Sequence, residues 1–146
     1  MKVLIDSNVI IAYLDAEHVH HLPSRAVFQS LRDEEILVSA HSLLEAYNKL
    51  TRGSTTSAFT PDTVSLTLRS LADRISVRAL QLSETLAAME NFARLGGRGA
   101  RLYDFLIGQV AVLHGAPRIV TWNVRDFTPL FPMLTVVSPD HFPGAS

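Results

Sequence analysis

Cysteine is missing altogether from this chain of 146 residues, which excludes disulfides, thiolate catalysis and zinc held by thiolates. Lysine is nearly missing: of 13 basic residues only Lys2 and Lys49 are Lys, and the rest are Arg. No apolar run approaches the roughly 20 residues that span a bilayer. The first strand-like run begins at residue 2, with no basic leader or cleavage site ahead of it. These absences lead to the expectation of a soluble, cytoplasmic protein without a membrane partner. An excess of one charge sign is lacking too. At a formal net charge of −1 there is no basic field for nonspecific binding to nucleic acid, although bound metal ions would supply local positive charge for chemistry on it. The length suits one domain over residues 1–146, large enough to bury a core without staples. Hydrophobic residues at 47% against charged residues at 18% leave apolar surface for a partner.

What is present is an alternation. Short β-rich runs fall at 3–5, 36–38, 75–77, 118–120 and 135–137, and stretches of helical periodicity at 8–15, 20–33, 40–52, 61–72, 83–95 and 102–114. Loops are expected at Gly53-Ser54-Thr55-Thr56-Ser57, at Gly96-Gly97-Arg98-Gly99 and through the Pro-punctuated C-terminal segment. Strands alternating with helices predict an α/β fold with a parallel sheet covered on both faces. In such sheets ligands bind beyond the carboxyl ends of the strands, where the strand order reverses. Asp6 ends the first strand and Thr121-Trp122-Asn123 follows the fourth, so the two polar clusters meet if those strands are neighbours.

The acids carry the chemistry. Asp6-Ser7-Asn8 has the residue types of a helix cap, but Ser7 and Asn8 suffice for that, which leaves Asp6 surplus. Glu45 lies on a helix whose apolar positions are Leu43, Leu44, Tyr47 and Leu50; it either pairs with Lys49 at the surface or sits at the border of the buried face. Asp104 stands among Tyr103, Phe105, Leu106, Ile107 and Val110 on a helix expected to be buried nearly all round, with Gly108 and Ala111 leaving room beside it. A carboxylate in that setting needs a cation. Asn123 and Asp126 follow the fourth strand, where turn chemistry also favours them. Converging on one crevice, these acids would form an all-oxygen site suited to Mg²⁺ or Mn²⁺, whose binding relieves carboxylate repulsion and can activate water against a phosphodiester.

Four segments, "VLIDSNVIIAYL", "VSAHSLLEAYNKL", "RLYDFLIGQVAVLHGA" and "IVTWNVRDF", together resemble the PIN domain, and specifically the VapC-type toxins of type II toxin–antitoxin pairs. The resemblance covers nearly the whole chain, in the family's order and approximate spacing. It implies a three-layer α/β/α sandwich around a parallel sheet ordered 3-2-1-4-5. It also implies a Mg²⁺- or Mn²⁺-dependent endoribonuclease, usually a homodimer, silenced by a VapB-type antitoxin whose C-terminal segment enters the active-site groove. Carried over by motif, Asp6 matches the first acid, Glu45 the second and Asp104 the third; Ser7 matches the small hydroxyl residue beside the first acid, and Thr121 opens the last motif. Asn123 stands where the family often has an acid, and Asp126 is an alternative three residues on. In the implied site Asp6, Asp104 and Asp126 hold the metal, while Glu45 ligates it or orients the attacking water.

Other features carry less. His18, His20 and His21 read as a solvated helix start sooner than as a metal cluster. The glycines at 96–99 follow a helix, not a strand, so they end that helix and are no nucleotide fingerprint. Arg98 and Arg101 are candidate phosphate contacts, and Trp122 is either a base-stacking ring or core. A phospho-aspartyl enzyme or receiver domain needs a Lys after a suitable strand, and neither lysine is placed there. A PIN-like scaffold without catalysis, or a solitary nuclease without an antitoxin, are the remaining alternatives.

Overall fold

The computed structural model describes residues 1–52 and 59–142. The expected loop at Gly53–Ser57 lies outside these described residues. The strands are β1 (Val3–Ile5), β2 (Ile36–Ser39), β3 (Ser76–Arg78), β4 (Arg118–Val120) and β5 (Thr135–Val137). They pair in parallel in the order β3-β2-β1-β4-β5, the order that the resemblance implied. The helices are α1 (Ser7–Leu14), α2 (His21–Ser30), α3 (Ala40–Thr51), α4 (Pro61–Arg74), α5 (Leu82–Arg94), α6 (Arg101–Leu113) and the short α7 (Val124–Phe127). Three differences from the sequence reading stand out. The helix expected over 20–33 stops at Ser30 and a separate 3₁₀ turn occupies Asp33–Glu35; β3 begins one residue late; and α7 arises where only turn chemistry was expected.

The sheet is covered on both faces, and the alternation of side chains along its strands explains how. Val3 and Ile5 of β1 face a core with Ile36 of β2 and with Val9, Ile10, Val27, Leu50 and Leu68, contributed by α1 to α4. Leu4, between them, faces the opposite core with Leu37 of β2, Ile119 of β4, and Phe92, Phe105, Ile107 and Phe127, contributed by α5 to α7. A strand buried on both faces reads as continuously apolar, as Val3-Leu4-Ile5 does. Each fully buried aliphatic side chain contributes roughly 1.5–3 kcal/mol.

Two glycine expectations resolve differently. Gly96, with φ +76°, ends α5: the amide of Gly97 returns to the Phe92 carbonyl at 2.9 Å and that of Gly96 to Ala93 at 3.0 Å, a Schellman stop. Gly108, expected to leave space beside Asp104, instead receives the ring of Phe131, which a Cβ there would strike. The helix α6 is also less enclosed than expected, since Tyr103, Val112 and Leu113 are exposed. It packs one side on the sheet and turns the other outward. The apolar positions of α3 shift for a related reason: Leu50 is buried together with Ser42 and Ala46, whose small side chains let the helix approach closely, while Leu44 and Tyr47 are exposed.

Candidate active site

Asp6 ends β1 at the point where the strand order reverses, beside β4. Its amide donates to the Val120 carbonyl at 3.1 Å, so the pairing of β1 with β4 carries the chain directly into the site. The carboxylate is buried, accepting from the Ser7 amide at 2.7 Å and from the Thr121 hydroxyl at 2.7 Å. The cap of α1 is therefore Asp6 itself, a correction to the reading that Ser7 and Asn8 do that work. Asn8 does something else: its amide donates to Thr121 Oγ1 at 3.2 Å and its carbonyl accepts from the Trp122 amide at 3.1 Å. The Thr121 hydroxyl also accepts from the Asn123 amide at 3.0 Å. These bonds clamp the end of β4 to the start of α1.

Asp104 comes from the first turn of α6 and is partly buried; Glu45 comes from the middle of α3 and is also partly buried. No ion pair joins Glu45 to Lys49 among the described residues. Instead its Oε1 is buried without a hydrogen-bond partner, as is the hydroxyl of Ser42 one turn earlier. Asp126, on α7, is half-buried, whereas Asn123 is exposed. Arg101 fixes α7 against α6 by donating to the Asp126 carbonyl at 2.8 Å.

The electrostatics tie the acids together. Burial pushes the Asp6 carboxyl up to about 7; the Thr121 and Ser7 hydrogen bonds oppose the rise, and the charges of Asp104 and Glu45 add to it. Asp104 is raised to about 6, first by burial, then by Glu45 and Asp126, against the pull of Arg101 and His41. Asp6, Glu45, Asp104 and Asp126 thus form one interacting set. Among the described residues no three acidic or imidazole side chains are drawn together closely enough to hold a metal ion as they stand. Four carboxylates without a cation repel one another. The donor set nonetheless fits a hard divalent ion: it is all oxygen, it is electrostatically unsatisfied, and one of its oxygens is buried with nothing to bond.

The remaining expected residues fall as follows. Arg98 is exposed in the glycine turn, and Arg101 is held on the Asp126 carbonyl. Trp122 is structural: its indole donates to the buried Ser24 hydroxyl at 3.0 Å and stacks on His20 with centroids 3.8 Å apart. His18 accepts from the His20 amide, and His21 meets the Ala12 carbonyl, so the three imidazoles have separate local roles. Away from these, the partly buried Ser138 and the exposed Asp140 and His141 form a turn and not a proton relay, because the single nitrogen Nδ1 of His141 meets both partners. Sequence reasoning missed His41 and Tyr103, whose rings stack at the rim of the acids. The available signal was weak: each aromatic residue lies within one helical turn of an acid.

The fold and these residues define a class of protein, an α/β/α sandwich carrying a cluster of acids at the carboxyl edge of a parallel sheet. The PIN domain profile matches residues 3–127, and the chain belongs to the PIN domain family. No curated protein matches it in sequence. Its fold is similar to that of Mycobacterium tuberculosis VapC20, a sarcin-ricin loop cleaving toxin, at 19% identity and TM-score 0.66, covering 81% of this chain and 87% of that one. It is similar as well to FitAcB from Neisseria gonorrhoeae, at 21% identity and TM-score 0.68 over 96% of this chain and 99% of that one. VapBC2 from Rickettsia felis, bound to a DNA fragment from its promoter, matches at 14% identity and TM-score 0.64 over 94% and 98% of the two chains. No helix among the described residues is long and apolar enough to cross a membrane.

Proposed function

We propose that this protein is a metal-dependent endoribonuclease, working as a single domain and as the toxin of a VapBC-type pair. The observation that carries the reading is the set of four interacting carboxylates at the β1–β4 crevice of a PIN domain, two of them, Asp6 and Asp104, pushed up by burial and by their acidic neighbours, and one oxygen of the set, on Glu45, buried and unpaired. Mg²⁺, or Mn²⁺ in its place, would be held by Asp6, Asp104 and Asp126, with Asp126 taking the place for which Asn123 is the alternative. When bound, such an ion neutralises charge at the phosphoryl group and makes water a better nucleophile. Thr121 and the Ser7 amide fix the orientation of the Asp6 carboxylate. Asn8 keeps Thr121 in place, and Arg101 keeps Asp126 beside Asp104. Glu45, with an oxygen free of partners, accepts a proton from the attacking water. Attack on phosphorus with departure of the 3′ oxygen leaves 5′-phosphate and 3′-hydroxyl ends. Arg98, which is exposed, and Arg101, through its remaining donors, would meet RNA phosphate.

The partners follow the same reading. The similar structures include VapBC2 bound to promoter DNA, which supports a VapB-type antitoxin for this chain. The apolar stripe of Leu82, Leu86 and Met89 on the outer face of α5, spaced at helical intervals, supports a homodimer. Incubation of the purified protein with total RNA in Mg²⁺, Mn²⁺ or EDTA, followed by sequencing of the new 5′ ends, tests the activity. Ends bearing 5′-phosphate, seen only with metal and lost on addition of the protein encoded next to it, are the expected result. Cleavage that persists in EDTA overturns the mechanism.

A further inference from the structure

Two aromatic rings at the rim of the acids take part in none of the steps above. His41, in the first turn of α3, and Tyr103, in the first turn of α6, stack with centroids 5.3 Å apart and planes inclined by 14°. His41 lies one turn before Glu45 on the same side of α3, and Tyr103 adjoins Asp104. The imidazole is close enough to Asp104 to draw that carboxyl down. The stack therefore bridges the two helices that supply acids.

Its setting differs from that of the core rings. Phe92, Phe105 and Phe131 pack on one another inside the core, where aromatic contact needs no further purpose. Tyr103 instead leaves 49% of its surface open. The site beside it is acidic and the whole chain has a net charge of −1, so phosphate attraction alone gives a nucleic acid little hold. Stacking on an aromatic face supplies a hold that requires no positive charge.

We propose that the His41–Tyr103 pair is a shelf that receives one unpaired nucleobase of the RNA next to the scissile phosphate, and so selects where a single strand is cut. The inference rests on the ribonuclease reading and deepens it. A base within a duplex is already stacked on its neighbours, so the shelf favours loops and single-stranded ends, and purines over pyrimidines because of their larger face.

The test uses short single-stranded RNAs carrying 2-aminopurine at successive positions, with binding read in Ca²⁺ buffer by fluorescence. One position is expected to be quenched on binding. Tyr103→Ala and His41→Ala should abolish that quench and weaken affinity by about tenfold, while Tyr103→Phe and Tyr103→Trp restore both. In cleavage, Tyr103→Ala should raise KM with little change in kcat and blur the pattern of cut sites. Quenching that survives Tyr103→Ala, or a cut pattern identical in the two proteins, overturns the shelf. Thermal melting of each variant separates loss of binding from loss of fold. If the unaltered protein cuts no RNA in any metal, the ribonuclease reading falls, and the quench arm still decides whether the shelf holds a base.

Discussion

The two ends of the same sheet are finished in opposite ways. At the amino end, Lys2 donates to the Glu34 carbonyl at 3.0 Å and to the Ser76 hydroxyl at 2.8 Å, tying together the starts of β1, β2 and β3. Arg118, at the start of β4, lies over the Phe142 ring at 4.9 Å. Both of these cations have partners. At the carboxyl end Asp6, Glu45, Asp104 and Asp126 lack salt bridges among the described residues, two of the carboxyls are pushed far above their ordinary range, and Glu45 keeps a buried oxygen unpaired. One end is built for stability and the other retains an electrostatic demand that only a cation or a proton can meet.

That contrast can be broken or sharpened. The largest effect is expected from Asp6→Asn, which should lower RNA cleavage by about 10³-fold or more while melting temperature holds or rises, because a buried charge is removed from an otherwise intact site. Full activity in that variant would end the proposal. Next comes the pH dependence of the metal-free protein. Asp6 at about 7 and Asp104 at about 6 both lie above the ordinary carboxylate value of 3.8, so between those limits the folded state holds protons that the unfolded chain has released. Their contribution to stability is fully present below pH 3.8 and is lost as pH rises through 6 and 7. Melting curves with and without Mn²⁺ should accordingly show a large metal-induced rise at about pH 8 and a small one at about pH 5. Asp104→Ala should erase most of it, and an equal rise at both pH values would contradict the assignment.

Thr121→Val takes away a bond to Asp6 and the acceptor used by Asn8 and Asn123. A loss of about 1–3 kcal/mol is expected, together with a further climb of the Asp6 carboxyl that moves the onset of metal-dependent activity to higher pH. The smallest effect belongs to the amino end. Lys2→Met should cost about 1 kcal/mol in urea denaturation and leave cleavage per folded molecule unchanged. A large drop in activity there would mean that the two ends are not separable.

Much of this was legible in the residues. Short β-rich runs marked the strands, continuously apolar at Val3-Leu4-Ile5 and Ile119-Val120, and the meeting of Asp6 with the segment after β4 followed from the general behaviour of parallel sheets. What escaped were relationships set by distant returns of the chain. Nothing around Gly108 reveals that Phe131 comes back to occupy it, and nothing in "DSN" reveals that Asn8 bonds to residues 113 and 114 positions later. The burial pattern of α3 misled because Ser42 and Ala46 are too small to register as a core face. The stack of His41 on Tyr103 was hidden for the same reason as Asn8, since neither local sequence contains the other ring.

The pairing of β1 with β4 also sets a timetable. The central strand is the first to be synthesised, yet its neighbour on the site's side is Arg118–Val120, and the Thr121 hydroxyl that orients Asp6 comes later still. A nascent chain that has not yet delivered these residues has its first acid but neither the clamp nor Asp126. The site therefore comes into being only after the segment through Asp126 has been made, so a chain interrupted before that point carries the first acids without the arrangement that would make them act together.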